Sequence, residues 1–257
     1  MKPTVYLPLV ALAALGACKD SQSPTGPVTT PPAHTTYKAA GDTATINLTL
    51  NQFRTSLGGV LNGAGAPTDS GRREINWDGV PATVTNVDTF PLNFFNVNSK
   101  RGAVYATTGA GLRVDSTAFA AVKADFSTQF KPFSGKKLFM AVGSNQVTVD
   151  FNIAGTNTPG LVKGFGVVFS DVDLPGSSKV EYFDKNGTRI ASVDAPALQS
   201  EQQFSLVAVT FDSAIVASVR ITSGDAALDG TTEDVSAGGT KDLVVMDDFV
   251  YGEPLPQ

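Results

Sequence analysis

The chain has 257 residues and a formal charge of −5, with 42% apolar residues but only one cysteine and one histidine. A single thiol rules out a disulfide within the chain. The lysines and arginines stand singly or in pairs such as Arg72-Arg73 and Lys136-Lys137, without the basic stripe that nucleic-acid binding needs.

The first segment, residues 1–17, opens with the cation of Lys2 and runs apolar from Val5 to Leu15, interrupted by Pro8. A spanning helix needs about twenty apolar residues, so this stretch reads as the core of a cleaved export signal. It ends Leu15-Gly16-Ala17-Cys18, small residues before the sole cysteine. That layout resembles the bacterial lipobox. The resemblance implies cleavage before Cys18, a diacylglycerol on its thiol and an acyl chain on its amine, a two-chain anchor that holds a protein to a membrane durably. Lys19 in place of an aspartate then implies the outer membrane of a diderm bacterium. Residues 18–40 are dominated by Pro, Thr and Ser without apolar periodicity, which predicts a flexible, disordered linker. His34 falls in this linker, so no histidine-dependent chemistry is expected in the folded part, residues 41–257.

That part is long enough for one large β-sandwich. Ile46, Leu48 and Leu50 alternate with Thr45, Asn47 and Thr49 at period two, as do Val147, Val149, Phe151 and Ile153, and later Ile215, Ala217, Val219 and Ile221. Each predicts a strand with one face to the core and one to water. Further strands are expected at 74–77, 103–107, 137–142, 162–169, 179–183, 188–193, 204–211 and 243–251. Asp184-Lys185-Asn186-Gly187 reads as a hairpin turn between two of them. One short helix is expected at 117–126, where Phe119, Val122 and Phe126 share a face behind Ser116. The class is all-β: an antiparallel sandwich with one short helix.

Four places draw attention as sites. Asp247 and Asp248 interrupt the apolar run LVVMDDFVY, and a carboxylate facing such a layer must be hydrogen-bonded, paired or bound to a cation. Calcium, which takes carboxylate and carbonyl oxygens, is one solution; backbone amides or Arg220 are another. Asp171 and Asp173 sit at alternate positions and can point the same way, as hard-cation ligands require. The stretch 224–241 carries Asp225, Asp229, Glu233 and Asp234 without EF-hand spacing and reads as a mobile acidic loop. Trp77, flanked by Asn76 and Asp78, is either a core filler or a sugar-stacking platform. Gly164-Phe165-Gly166 lacks the helix and lysine of a phosphate loop, and marks a bulge or a close backbone approach.

GFGVVFSDVD, KVEYFDKNGTRI, FSLVAVTF and MDDFVYGEP, with INWDG upstream, resemble a pattern of exported bacterial β-sandwich proteins of unassigned function. The resemblance spans about residues 160–254 and implies a jelly-roll-like domain, in some members shaped like a carbohydrate-binding module, with Asp247 or Asp248 at a structural-ion position. The expected function is a membrane-anchored, non-catalytic lipoprotein that binds a glycan or another envelope component, with calcium as its structural ion. A carboxylate-dependent polysaccharide hydrolase and a purely structural envelope protein are the alternatives.

Overall fold

The computed structural model describes Met1 and residues 31–200 and 202–257. The chain divides into Met1–Thr30 and Pro31–Gln257, and the fold below is that of the second unit. The export signal and Cys18 lie outside the described residues. No described helix is long and apolar enough to cross a membrane.

The elements run β1 (His34–Gly41), α1 (Thr43–Leu57), β2 (Arg72–Ile75), α2 (Phe94–Val97), β3 (Ala103–Ala106), β4 (Gly111–Asp115), α3 (Phe126–Gln129), β5 (Leu138–Val142), β6 (Gln146–Phe151) and β7 (Gly160–Leu161). They continue with β8 (Gly164–Ser170), β9 (Lys179–Phe183), β10 (Arg189–Asp194), β11 (Phe204–Phe211), β12 (Ser218–Thr222), β13 (Val245–Gly252) and β14 (Leu255–Pro256). One sheet has the order β1-β11-β8-β13-β5-β4, with β2 also on β13; the second is β10-β9-β12-β6-β3, and β14 pairs with β7. All strand pairs are antiparallel. Leaving aside the flanking strands, β5-β13-β8-β11 faces β6-β12-β9-β10, with successive strands crossing between sheets except at the β9-β10 hairpin. That is the interleaved Greek-key order of a jelly roll.

The hairpin between β9 and β10 forms at the expected turn, where Asp184 Oδ1 accepts from the Asn186 and Thr188 amides at 2.9 and 2.8 Å. The sheets meet over one core that includes Val147, Val149, Val180, Tyr182, Val219 and Ile221 from one side and Phe165, Val167, Val207 and Phe249 from the other. Gly166 is a close approach, as its position suggested: a Cβ there would lie 2.6 Å from Ala208 Cβ and 2.9 Å from Phe53 Cε1.

The strand β4 and the short helix α2 carried no expectation, and three expected elements take another form. The first expected strand is the helix α1. Asp42 caps it, accepting from Thr45 N at 2.8 Å, and Ile46, Leu50, Phe53 and Leu57 form a buried stripe at helical spacing. Ile46 and Leu50 satisfy both periods, and Leu48, 72% exposed, is the residue that separates them. This stripe covers Val168, Leu206, Ala208 and Val250 on the outer face of the first sheet. The central strands β8, β11 and β13 are therefore buried on both faces. Burying four such side chains contributes about 1.5–3 kcal/mol each.

Residues 34–40, read as linker, form the edge strand β1, in register from His34 opposite Phe211 to Gly41 opposite Phe204. Their polar side chains suit a strand with one solvated face, which is why composition alone resembled a tether. The helix expected at 117–126 is a series of turns. Asp115 Oδ1 captures the Thr117 and Phe119 amides at 2.7 and 2.9 Å, and Ala118 and Phe119 take positive φ of 49° and 61°. A helical path cannot pass through that conformation, so helix begins only at Phe126.

Candidate metal centre

At the end of the first sheet where Ser170 faces Val245, the chain leaves β8 through Asp171. This residue has φ 72°, a left-handed conformation that Asp tolerates better than most residues. Two residues on, the Asp242 carboxylate accepts from Asp173 N at 3.2 Å and Leu174 N at 2.9 Å, and from Ser177 Oγ at 2.5 Å. The loop from β12 to β13 supplies the third member. Asp234 caps the short 3-10 turn Val235–Ala237, accepting from Ser236 N at 2.7 Å through Oδ2 and from Leu243 N at 2.7 Å through Oδ1.

Asp171, Asp173 and Asp234 are all buried and each offers a carboxylate oxygen within 4.8 Å of the others. Two oxygens on opposite sides of one calcium ion stand about 4.6–5.2 Å apart. The cluster can therefore hold a metal ion. Among the described residues no lysine or arginine pairs with Asp171, Asp234 or Asp242.

Asp171 is 0% exposed, and neither of its carboxylate oxygens has a hydrogen-bond partner. The Gln129 amide favours its charge from nearby, but that amide is turned to the Leu243 carbonyl at 3.3 Å and makes no bond of good geometry to Asp171. Burial, reinforced by the charges of Asp173, Asp234 and Asp242, pushes the Asp171 carboxyl up to about 8. Burial also raises Asp242. A surface cavity of about 350 Å³ adjoins the cluster, lined by Asp173, Gln199, Ser200, Val235 and Ser236.

The stretch 224–241, expected to be mobile, is tied down. Asp229 Oδ1 accepts from Thr231 N and Thr232 N at 2.7 and 2.6 Å, amides that lower its carboxyl to about 2. Asp225 Oδ1 accepts from Asp242 N at 2.9 Å. Sequence reading found Asp171 and Asp173 and set Asp234 in a separate loop; Asp242, Ser177 and Gln129 carried no local signal.

Asp247 and Asp248 lie elsewhere and are held differently, each through one oxygen, with Asp247 Oδ1 left without a partner. The β13 register shifts between Met246 and Phe249, where its partner changes from β5, through Phe139, to β2, through Ile75. This bulge turns both carboxyls inward, 0% and 5% exposed. Asp247 Oδ2 accepts from Phe133 N and Ser134 N at 2.6 and 3.1 Å, and Asp248 Oδ1 from Ser134 Oγ at 2.5 Å. Burial, and for Asp247 the adjacent charge of Asp248, raises both carboxyls. They join no three-carboxylate cluster among the described residues. Backbone amides serve one oxygen of Asp247 and a serine hydroxyl serves Asp248, while Arg220 lies near Glu181, 3.9 Å away.

Trp77 plugs the gap at that bulge. It is 1% exposed, has φ 66°, stacks on Phe139 at 4.0 Å and meets Phe249 edge-on at 5.1 Å. Its indole N–H donates to the Asp247 carbonyl at 2.8 Å, an acceptor the broken ladder leaves open. A sugar-stacking role for Trp77 is thus overturned. Asn76 is exposed beside it and Asp78 accepts from Lys136 N at 2.9 Å, while the adjoining hollow holds only about 40 Å³, little more than a water. Arg72 pairs with Glu74 at 2.7 Å, whereas Arg73 reaches Glu253 at 2.5 Å, both side chains 1% exposed.

Fold and site together define an antiparallel jelly-roll sandwich with a buried carboxylate cluster able to hold a metal ion. No family model and no curated protein matches the chain. Among solved structures it is similar to a glycoside hydrolase family 43 arabinoxylan arabinofuranohydrolase from Bacillus subtilis, in complex with cellotetraose. There the TM-score is 0.29 and the identity 15%, over 62% of this chain and 28% of that one. It is also similar to the enzymatically active domain of tailspike protein 4 of bacteriophage CBA120 (TM-score 0.29, identity 11%, 68% of this chain, 22% of that one). A third is a xylan-binding domain from Paenibacillus barcinonensis (TM-score 0.27, identity 15%, 63% of this chain, 90% of that one).

Proposed function

We propose that the chain is an exported lipoprotein, held to the outer membrane of a diderm bacterium through lipid on Cys18, whose non-catalytic jelly roll binds calcium at Asp171, Asp173 and Asp234 and engages a glycan or other envelope component. Asp171 carries this reading. A buried carboxylate without a donor is costly, and an all-oxygen cluster of this span suits a hard cation. The LGAC sequence supports the tether. Against a polysaccharide hydrolase, which needs two carboxyls across an open cleft, Asp171, Asp173 and Asp234 are all buried. Asp247 and Asp248 lie buried beneath Ser134.

Thermal unfolding of the full chain in calcium and in EDTA tests the cation. A cation at about a hundredfold over its Kd adds about 2.7 kcal/mol, so calcium is expected to raise Tm by roughly 5–10 °C, and Asp171→Asn to abolish the rise. An unchanged wild-type Tm removes the cation from the reading.

A further inference from the structure

We infer that the cavity beside the acidic cluster is a binding site for a neutral, polyhydroxylated ligand, a sugar unit of a glycan, and that its affinity depends on the cation held by Asp171, Asp173 and Asp234. The inference rests on the proposed cation site and adds the ligand class and the coupling. Asp171 is the independent sign of a ligand at the cluster: fully buried, with both oxygens unpartnered.

Two features join the cluster to the cavity. Asp173 belongs to both. The opposite wall, Val235 and Ser236, is the 3-10 turn that Asp234 caps, with Ser236 held to Asp234 Oδ2 through its amide at 2.7 Å and its hydroxyl at 2.6 Å. An ion that draws Asp234 towards Asp171 and Asp173 therefore fixes the position of that wall. Ordering one side of a site in advance removes part of the cost of binding there, and the coupling is reciprocal: the ligand tightens the ion by the same factor.

The lining sets the ligand class. A carboxylate, an amide and two hydroxyls surround one valine, and among the described residues no lysine or arginine takes part. Such a wall offers donors and acceptors to hydroxyl groups, apolar surface to the C–H face of a sugar ring, and no charge partner to an anion. Its volume of about 350 Å³ lies at the small end of ligand sites, which run from about 300 to 1,000 Å³. Gln199, Ser200 and Ser236 are exposed, so a chain of sugars can extend beyond the one it holds.

Calorimetric titration of the full chain, in calcium and in EDTA, with cellotetraose, xylotetraose, mannotetraose and tetragalacturonate tests this. At least one neutral tetrasaccharide is expected to bind in calcium and at least tenfold more weakly in EDTA. Gln199→Ala and Val235→Trp, which strip or fill the cavity, are each expected to weaken binding at least tenfold while leaving the calcium-induced rise in Tm intact. A rise in Tm with calcium but no binding of any neutral tetrasaccharide overturns the ligand proposal and leaves the cation reading standing. Binding of tetragalacturonate alone overturns the ligand class. Equal binding in calcium and EDTA overturns the coupling, and unchanged binding by both variants places the site elsewhere.

Discussion

The molecule buries two groups of aspartates, and they solve the same problem differently. At the bulge in β13, Asp247 and Asp248 take up two amides and a hydroxyl from residues 133–134. At the sheet end, Asp171 has no donor, faces two further carboxylates and adjoins a cavity. Burial is common to both, so burial alone does not mark a binding site. What separates them is grouping: both oxygens of Asp171 lack a partner and two more carboxylates lie within reach of it, whereas the bulge aspartates are each held through one oxygen by residues 133–134 and join no third carboxylate among the described residues.

Substitutions at the two places should therefore separate cleanly. The largest effect is expected from Asp247→Ala, which strands the Phe133 and Ser134 amides; at about 1–3 kcal/mol for each orphaned donor, Tm should fall by roughly 10 °C. Its calcium response should persist, and loss of that response in a variant that still folds would erase the distinction. Asp171→Asn acts in the opposite sense. It removes the cost of carrying a carboxyl whose ionisation burial disfavours, so in EDTA the variant should melt a few degrees above wild type. A lower Tm would mean that Asp171 has a stabilising partner.

Acidity offers a third, smaller contrast. The bulge pair is raised above its unfolded value near 4, so the folded state holds a proton that the unfolded state releases. Its contribution to stability is fully present below about pH 4 and is lost as pH rises through the elevated folded value. Glu74 and Asp115 are lowered, Glu74 by Arg54 and Arg72 and Asp115 by Thr117 and Arg113, each against burial. They act only on the acid side, where their contribution is lost as pH falls below 4. In calcium, where an ion neutralises the Asp171 cluster, urea unfolding between pH 4.5 and 7 should show stability declining, with a slope that Asp247→Asn reduces. An identical slope in that variant would assign the proton elsewhere. The smallest effect on the fold is expected from Cys18→Ser. It should move the chain from the membrane to the soluble fraction with no change in Tm, and a variant that still sediments with membranes would discount the lipid anchor.

Much of the sandwich was legible because strands and turns are local. KVEYFDKNGTRI holds two strands and its own turn, and FSLVAVTF spans β11 without error. Legibility failed where two periods coincide, as at Ile46 and Leu50, and where a polar edge strand resembles a tether, as at 34–40. Trp77 was ambiguous for another reason: only the change of partner along β13 creates the gap that it fills.

The sequence by itself determined the β class, the hairpin and the acidic character of the β8 end, since alternation, turn chemistry and charge are properties of neighbouring residues. Only the tertiary structure decided which carboxylates have donors and which face one another. Asp171 and Asp234 are far apart along the chain and meet because β8 and β13 pair at Ser170 and Val245, and the amides that hold Asp247 Oδ2 come from a segment more than a hundred residues away. Desolvation and hydrogen bonding depend on what surrounds a group in space, and the jelly-roll crossings bring together residues that no local pattern connects.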